Sequence, residues 1–148
     1  MFRRIAVSPV LVLAVATALA LPAAQAQTVR KGEVEPGPRE LSVPAGSPFA
    51  AELSKALADY GFVVKPAVTG AGWPTRYVVM MAVDDGAAKE ICASTGRHIV
   101  TARGSLQDTQ TGQEIATVQA RGADGPCGDA DLVFGGLAEA IGDVWMGQ

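Results

Sequence analysis

An α+β domain is what this sequence predicts: a mainly antiparallel sheet of about four strands with two helices packed on one face. Three patterns carry that expectation. Apolar residues recur at helical spacing from Phe49 to Tyr60 and again from Phe134 to Trp145. Between them, residues 97–121 alternate apolar and polar with period two, as a hairpin with one wet face and one buried face does.

The elements follow in chain order. Residues 1–26 have the three-part build of a cleavable signal peptide. Arg3 and Arg4 supply the positive end, Ile5 to Leu21 is almost wholly apolar, and Ala24-Gln25-Ala26 offers small residues for cleavage after Ala26. Pro9 and Pro22 make the apolar run a poor permanent span, so no stable membrane insertion is expected after cleavage. With no Ser or Thr before the arginines, the general secretory route is expected, to a periplasmic or secreted destination.

Residues 27–46 read as an extended leader with little core of its own. Pro36, Pro38 and Pro44 oppose a helix there, although Glu40 to Val43 could join a sheet edge. Residues 47–148 read as one domain. Ser47 is an expected N-cap with Pro48 in the first turn, and Gly61 is the expected left-handed stop. A strand starts at Phe62-Val63-Val64 and is limited by Pro66. Tyr77 to Val83, apolar on both faces, predicts a central strand covered on two sides. Asp84-Asp85-Gly86 suits a turn, and residues 87–94 fit either a short helix or an irregular crossing.

In the hairpin, Val100, Ala102 and Leu106 share a face with Ala116, Val118 and Ala120, and Asp108 to Gly112 turns the chain. Asp131 is the expected cap of the closing helix. Gly135, Gly136 and Gly142 should each cost it about 1 kcal/mol unless the helix approaches the sheet closely.

Composition narrows the function. Loss of Arg3 and Arg4 with the leader takes the net charge from −3 to −5, which disfavours sequence-blind binding of nucleic acid or anionic lipid. Cys92 and Cys127, in a chain bound for an oxidising space, predict one disulfide. It would close a loop of about 35 residues and stabilise the fold by roughly 3–4 kcal/mol.

The single histidine, His98, has no adjacent carboxylate or nucleophile to work with, and no acyl-transfer motif is present. Asp124, Asp129 and Asp131 miss the EF-hand spacing, so turn and cap roles explain them more simply. Zinc lacks ligands, and Gly70-x-Gly72 leads into Trp73-Pro74 rather than a helix. No catalytic residue, metal or cofactor is therefore assigned. Trp73, in its Gly/Pro loop, and Asp108, Thr111 and Gly112, in the hairpin turn, are the candidate partner-binding residues. The rival reading is a small secreted hydrolase or ligand-binding protein, its site assembled from dispersed residues such as His98, Asp84 and Asp85.

The succession AELSKALADYGFVV, RYVVMMAV, IVTARGSLQDTQTGQEIATVQARG and LVFGGLAEAIGDVW resembles a loose group of bacterial envelope domains. It includes the N-terminal domain of the translocation protein TolB, the curli secretion component and the activator lipoproteins of penicillin-binding proteins. The shared features are a helix ending in Gly-Phe-Val-Val and a hairpin turning at Asp108, Thr111 and Gly112. This chain lacks the lipid-bearing Cys of many members. The resemblance implies a non-catalytic module that binds another envelope protein, and it leaves the oligomeric state open.

Overall fold

The computed structural model describes residues 25–68, 70–84, 101–121 and 130–147. In chain order they form β1 (Gln25–Arg30), β2 (Glu40–Pro44), α1 (Ala50–Asp59), β3 (Val63–Ala67), β4 (Tyr77–Asp84), β5 (Thr101–Asp108), β6 (Glu114–Arg121) and α2 (Ala130–Met146). The six strands make one sheet in the order β1-β6-β5-β4-β2-β3. Both helices pack on the same face, so the α+β class holds with two helices on one side. The sheet itself differs from the expectation: it has six strands rather than about four, and it is mixed. β2 runs parallel to β3 and to β4, while β1–β6, β6–β5 and β5–β4 are antiparallel.

β2 and most of β1 come from the segment read as a leader; the first two residues of β1, Gln25 and Ala26, belong to the stretch read as signal peptide. β2 is internal rather than an edge, with Leu41 and Val43 fully buried under the helices. The prolines punctuate this segment without excluding strands from it. Pro36 and Pro38 lie between β1 and β2, and Pro44 is the last residue of β2, where the next amide, that of Ala45, donates to the Ala67 carbonyl. α1 is thus the crossover of a β-α-β unit, the connection that parallel neighbours need. Pro66 falls on β3, an edge strand, where a missing N–H breaks no ladder.

α1 begins later than its capping residues suggest. Ser47 and Pro48 lie in a turn, and Phe49 occupies the N-cap position in the left-handed region (φ 59°) with no side-chain cap. That backbone places the Phe49 ring 5.7 Å from Phe134 of α2, and the aromatic contact compensates for the lost cap. Gly61 does take the expected left-handed stop, at φ 84°.

The core lies between sheet and helices, built on Leu53 and Leu57 of α1, Phe134, Leu137 and Ile141 of α2, and the inward residues of β2, β4, β5 and β6. The close helix–sheet approach is at Gly104 of β5, where an added Cβ would stand 3.4 Å from both Leu137 and Val79. Gly135 and Gly142 of α2 do not supply it, since a Cβ on Gly135 would meet nothing and one on Gly142 would meet only Arg39. β4 is central as expected, covered by the helices on one face and in part on the other. Val79 faces the helices, and on the other face Val78 is buried while Met80 stands 40% exposed.

Candidate functional site

The pairing registers define the face that the helices leave open. Gln27 and Val29 of β1, Thr117, Gln119 and Arg121 of β6, and Arg103 and Ser105 of β5 form its polar half. Beyond them come Val78 and Met80 of β4, then Ser42 and Pro44 of β2. At the β2–β4 end the loop from Val68 to Arg76 returns across the sheet. Gly70 and Gly72 take φ of 85° and 76°, values that L side chains rarely adopt, and the Ala71 amide donates to the Val68 carbonyl.

This loop delivers Trp73, 48% exposed, to the wall of a cleft of about 340 Å³. The other walls are Pro44, Ala67, Val68, Met80 and the two loop glycines, with no charged side chain among them. Trp73 is therefore not a lid sunk into the core; its free surface continues an apolar cleft. Val63 and Val68, also well exposed, lie on the same edge. A clustered apolar surface of this kind marks a contact site more often than scattered exposed residues do.

A buried polar anchor holds the loop. The Ser42 hydroxyl donates to Thr75 Oγ1 at 2.6 Å, and Thr75 Oγ1 donates to the Tyr77 carbonyl at 2.7 Å. Next along the chain, Arg76 extends Nε and Nη2 to Asp108 Oδ2, at 3.0 and 2.7 Å, and Nη1 to Glu35. Asp108 is only 4% exposed. Its second oxygen accepts the Gln110 amide at 2.9 Å and the Thr111 amide at 3.4 Å, and its backbone carbonyl accepts the Gly112 amide. The Arg76 guanidinium holds the Asp108 carboxyl below the usual range, against the opposing pull of burial, and does the same to Glu35.

The sequence-chosen residues thus separate by role. Trp73 lies at the surface of a cleft. Asp108 is committed to the hairpin turn and to Arg76, so its carboxylate is not presented to a partner. Thr111 is exposed, with its hydroxyl accepting the Gln113 amide, and Gly112 takes φ 71°. The two loops meet at Thr109, whose amide and hydroxyl both donate to the Arg76 carbonyl. Sequence reading missed Arg76 and Glu35, which lie 32 and 73 positions before Asp108 with no local motif to join them. His98, Asp85, Asp124, Asp129 and the expected disulfide residues Cys92 and Cys127 lie outside the described residues.

Trp145, expected in the core, packs edge-on against Phe62 at 5.3 Å and Tyr77 at 5.0 Å. Arg39 covers the far side of Phe62 at 4.4 Å, and its buried Nε has no hydrogen-bond partner. Among the described residues no three His, Cys, Asp or Glu side chains converge as a metal site would require. Nor is any described helix long and apolar enough to cross a membrane.

No family model and no curated protein matches the chain. Its fold is shared with a solved structure described as a PelC dodecamer from Paraburkholderia phytofirmans in space group P6. The TM-score is 0.50 at 12% identity, over 82% of this chain and 96% of that one. A point variant of that dodecamer in space group C2 matches over the same extents at TM-score 0.45.

Proposed function

We propose that this chain is an exported, non-catalytic module of the bacterial envelope, delivered through a signal peptide cleaved after Ala26, stapled by Cys92–Cys127 and acting by binding another envelope protein. The observation that carries the binding reading is Trp73: a half-exposed indole in an all-apolar cleft, on a loop fixed from beneath by Ser42, Thr75 and the Arg76–Asp108 pair. A rigid aromatic anchor beside an apolar hollow suits a partner's aliphatic or aromatic side chain, because little entropy is lost when the contact forms. A sugar would need hydrogen-bonding side chains around the indole, and the described residues that line the cleft supply none. A protein of the same fold is a dodecamer, which supports counting further copies of this chain among the partners.

The test is photocrosslinking in the native envelope from position 68, on the cleft wall, and from position 55, on the exposed side of α1. A discrete adduct from position 68 that is lost on Trp73→Ala is the expected result. Identical adducts from both positions, or none from either, would overturn the proposal.

A further inference from the structure

The two layers present outer surfaces of opposite charge. On the helix layer Asp59, Glu139 and Asp143 are exposed, and Lys55, paired with Asp59, is the only basic residue in either helix. Glu139 and Asp143 stand one turn apart on α2 and form no ion pair with a described residue. A like-charge pair at that spacing is unfavourable in itself. Asp143 also sits in the last turn, where the negative end of the helix dipole disfavours a carboxylate, although Arg30 of β1 donates to the Val144 carbonyl there at 3.0 Å and offsets part of that cost. Arg39 packs against Gly142 but stacks on Phe62 rather than pairing with either acid. A cation supplied from outside would relieve the repulsion between the two carboxylates.

On the open sheet face the exposed charged side chains described on β5 and the C-terminal half of β6 are basic. Arg103 and Arg121 are exposed, and neither meets a carboxylate among the described residues; Arg103 reaches only Gln119, at 3.4 Å. Their register, Arg103 opposite Gln119 and Arg121 opposite Thr101, makes them diagonal cross-strand neighbours about 7–8 Å apart. Four residues along α2 rise about 6 Å. The two pairs therefore have matching spacing. Exposed apolar residues flank each pair: Met146 lies three residues beyond Asp143, and Val29 lies on β1 beside Thr117.

We infer that this chain associates head to tail with a second copy, the Glu139–Asp143 ridge of one protomer seating on the Arg103–Arg121 face of the next. The inference rests on the protein-binding reading but uses the polar half of the sheet, leaving the Trp73 cleft free. Because the two surfaces differ, the contact is heterologous. Each copy keeps one surface of each kind, and the chain of contacts closes into a ring or extends. Eight-residue strands are about 26 Å long and three neighbouring strands span about 10 Å, so this half of the face is smaller than a standard interface. The association is accordingly weak and salt-sensitive.

The experiment is sedimentation velocity on the mature full chain purified from its native compartment, at low salt and at 0.5 M salt. Wild type should form oligomers at low salt that weaken at least tenfold at high salt. R103E/R121E and E139K/D143K should each lose association at least tenfold while keeping the wild-type circular dichroism. An equimolar mixture of the two should recover it, since each variant restores the charge the other lost. A monomeric wild type at low salt, undiminished oligomers in both variants, or folded variants that do not recover on mixing would overturn the inference. A monomer that still yields the Trp73-dependent adduct would overturn the inference alone; loss of that adduct alone would strike the protein-binding reading.

Discussion

Replacing Asp108 with Ala removes the acceptor of two Arg76 hydrogen bonds and of the Gln110 and Thr111 amides at once. Breaking a fully buried ion pair costs about 3–5 kcal/mol. Here Asp108 is buried, but the Arg76 side chain is 26% exposed and keeps Glu35, so water and the second carboxylate recover part of the loss. About 2–3 kcal/mol is expected. For a domain of this size that lowers Tm by about 8–12 °C. Asp108→Asn isolates the charge, because its amide oxygen can still accept the turn amides, and it should fall by about half as much.

The pH dependence fixes the sign. The folded-state pKa of Asp108 is depressed, so the unfolded chain takes up its proton first as pH falls. The stability contribution is complete above the ordinary value of 3.8 and fades as pH drops toward the folded value. Thermal melts of wild type, Asp108→Ala and Asp108→Asn from pH 7 to pH 2 should therefore converge at the acid end. A constant gap at all pH values, or a Tm loss under 2 °C for Asp108→Ala at pH 7, would refute the latch.

Glu114, drawn down to about 2 by Lys31, Ser105 and Thr117, adds a second acid-labile contribution. It is present above pH 4.5 and lost on the way to about pH 2, so Glu114→Gln should lower the neutral plateau, modestly because the group is partly exposed, and meet the wild-type curve at the acid end. Gly104→Val substitutes a good strand former, yet it should destabilise by about 1–3 kcal/mol in chemical denaturation, because its Cβ alone already reaches 3.4 Å from Leu137 and Val79. Alkylation of protein taken from the envelope without reductant should leave both Cys92 and Cys127 unmodified, and pre-reduction should expose both to the reagent; free thiols at the outset would end the disulfide proposal.

What could be read from the sequence was whatever repeats within a short window. The period-two hairpin carries its own phase, so Ala102, Leu106, Ala116, Val118 and Ala120 fell on the buried face as read. The stripes of α1 and α2 survive equally well, since 3.6-residue spacing does not depend on the partner. β2 is different. Leu41, Ser42 and Val43 are too short a run to show a period, three prolines surround them, and their burial comes from β3, β4 and α1 and, for Ser42, from Thr75 on the other face. The partial cover of the second face of β4 was similarly hidden, because Val78 and Met80 are both apolar although only Val78 is buried. The cleft combined a visible part with an invisible one. Trp73 between glycines and Pro74 is conspicuous in sequence, but its fixation through Ser42, Arg76 and Asp108 is a product of the strand order. Asp108 shows the converse error: a turn residue of the right type was read as available, when its carboxylate is consumed by an arginine 32 positions upstream.

The two tryptophans separate holding the shape from using it. Trp145 touches Phe62 and Tyr77 and sits under the C-terminal end of α2, so its removal opens a void between helix and sheet. Trp73 lines a cleft that solvent already fills, and its anchoring hydrogen bonds belong to Thr75 and Arg76, which a change at position 73 leaves in place. Trp145→Ala should therefore cost about 2–3 kcal/mol, below the range for a wholly buried indole because Trp145 is only partly buried against the core. Trp73→Ala should cost less than about 1 kcal/mol. As the chain holds no other tryptophan, each variant is also a single-fluorophore protein. The Trp145→Ala protein should emit to the red and be quenched readily by acrylamide, and the Trp73→Ala protein should do neither until it unfolds. Equal destabilisation by the two substitutions, or a quench-resistant Trp73, would mean that the loop is a piece of core and that the contact surface must be sought elsewhere.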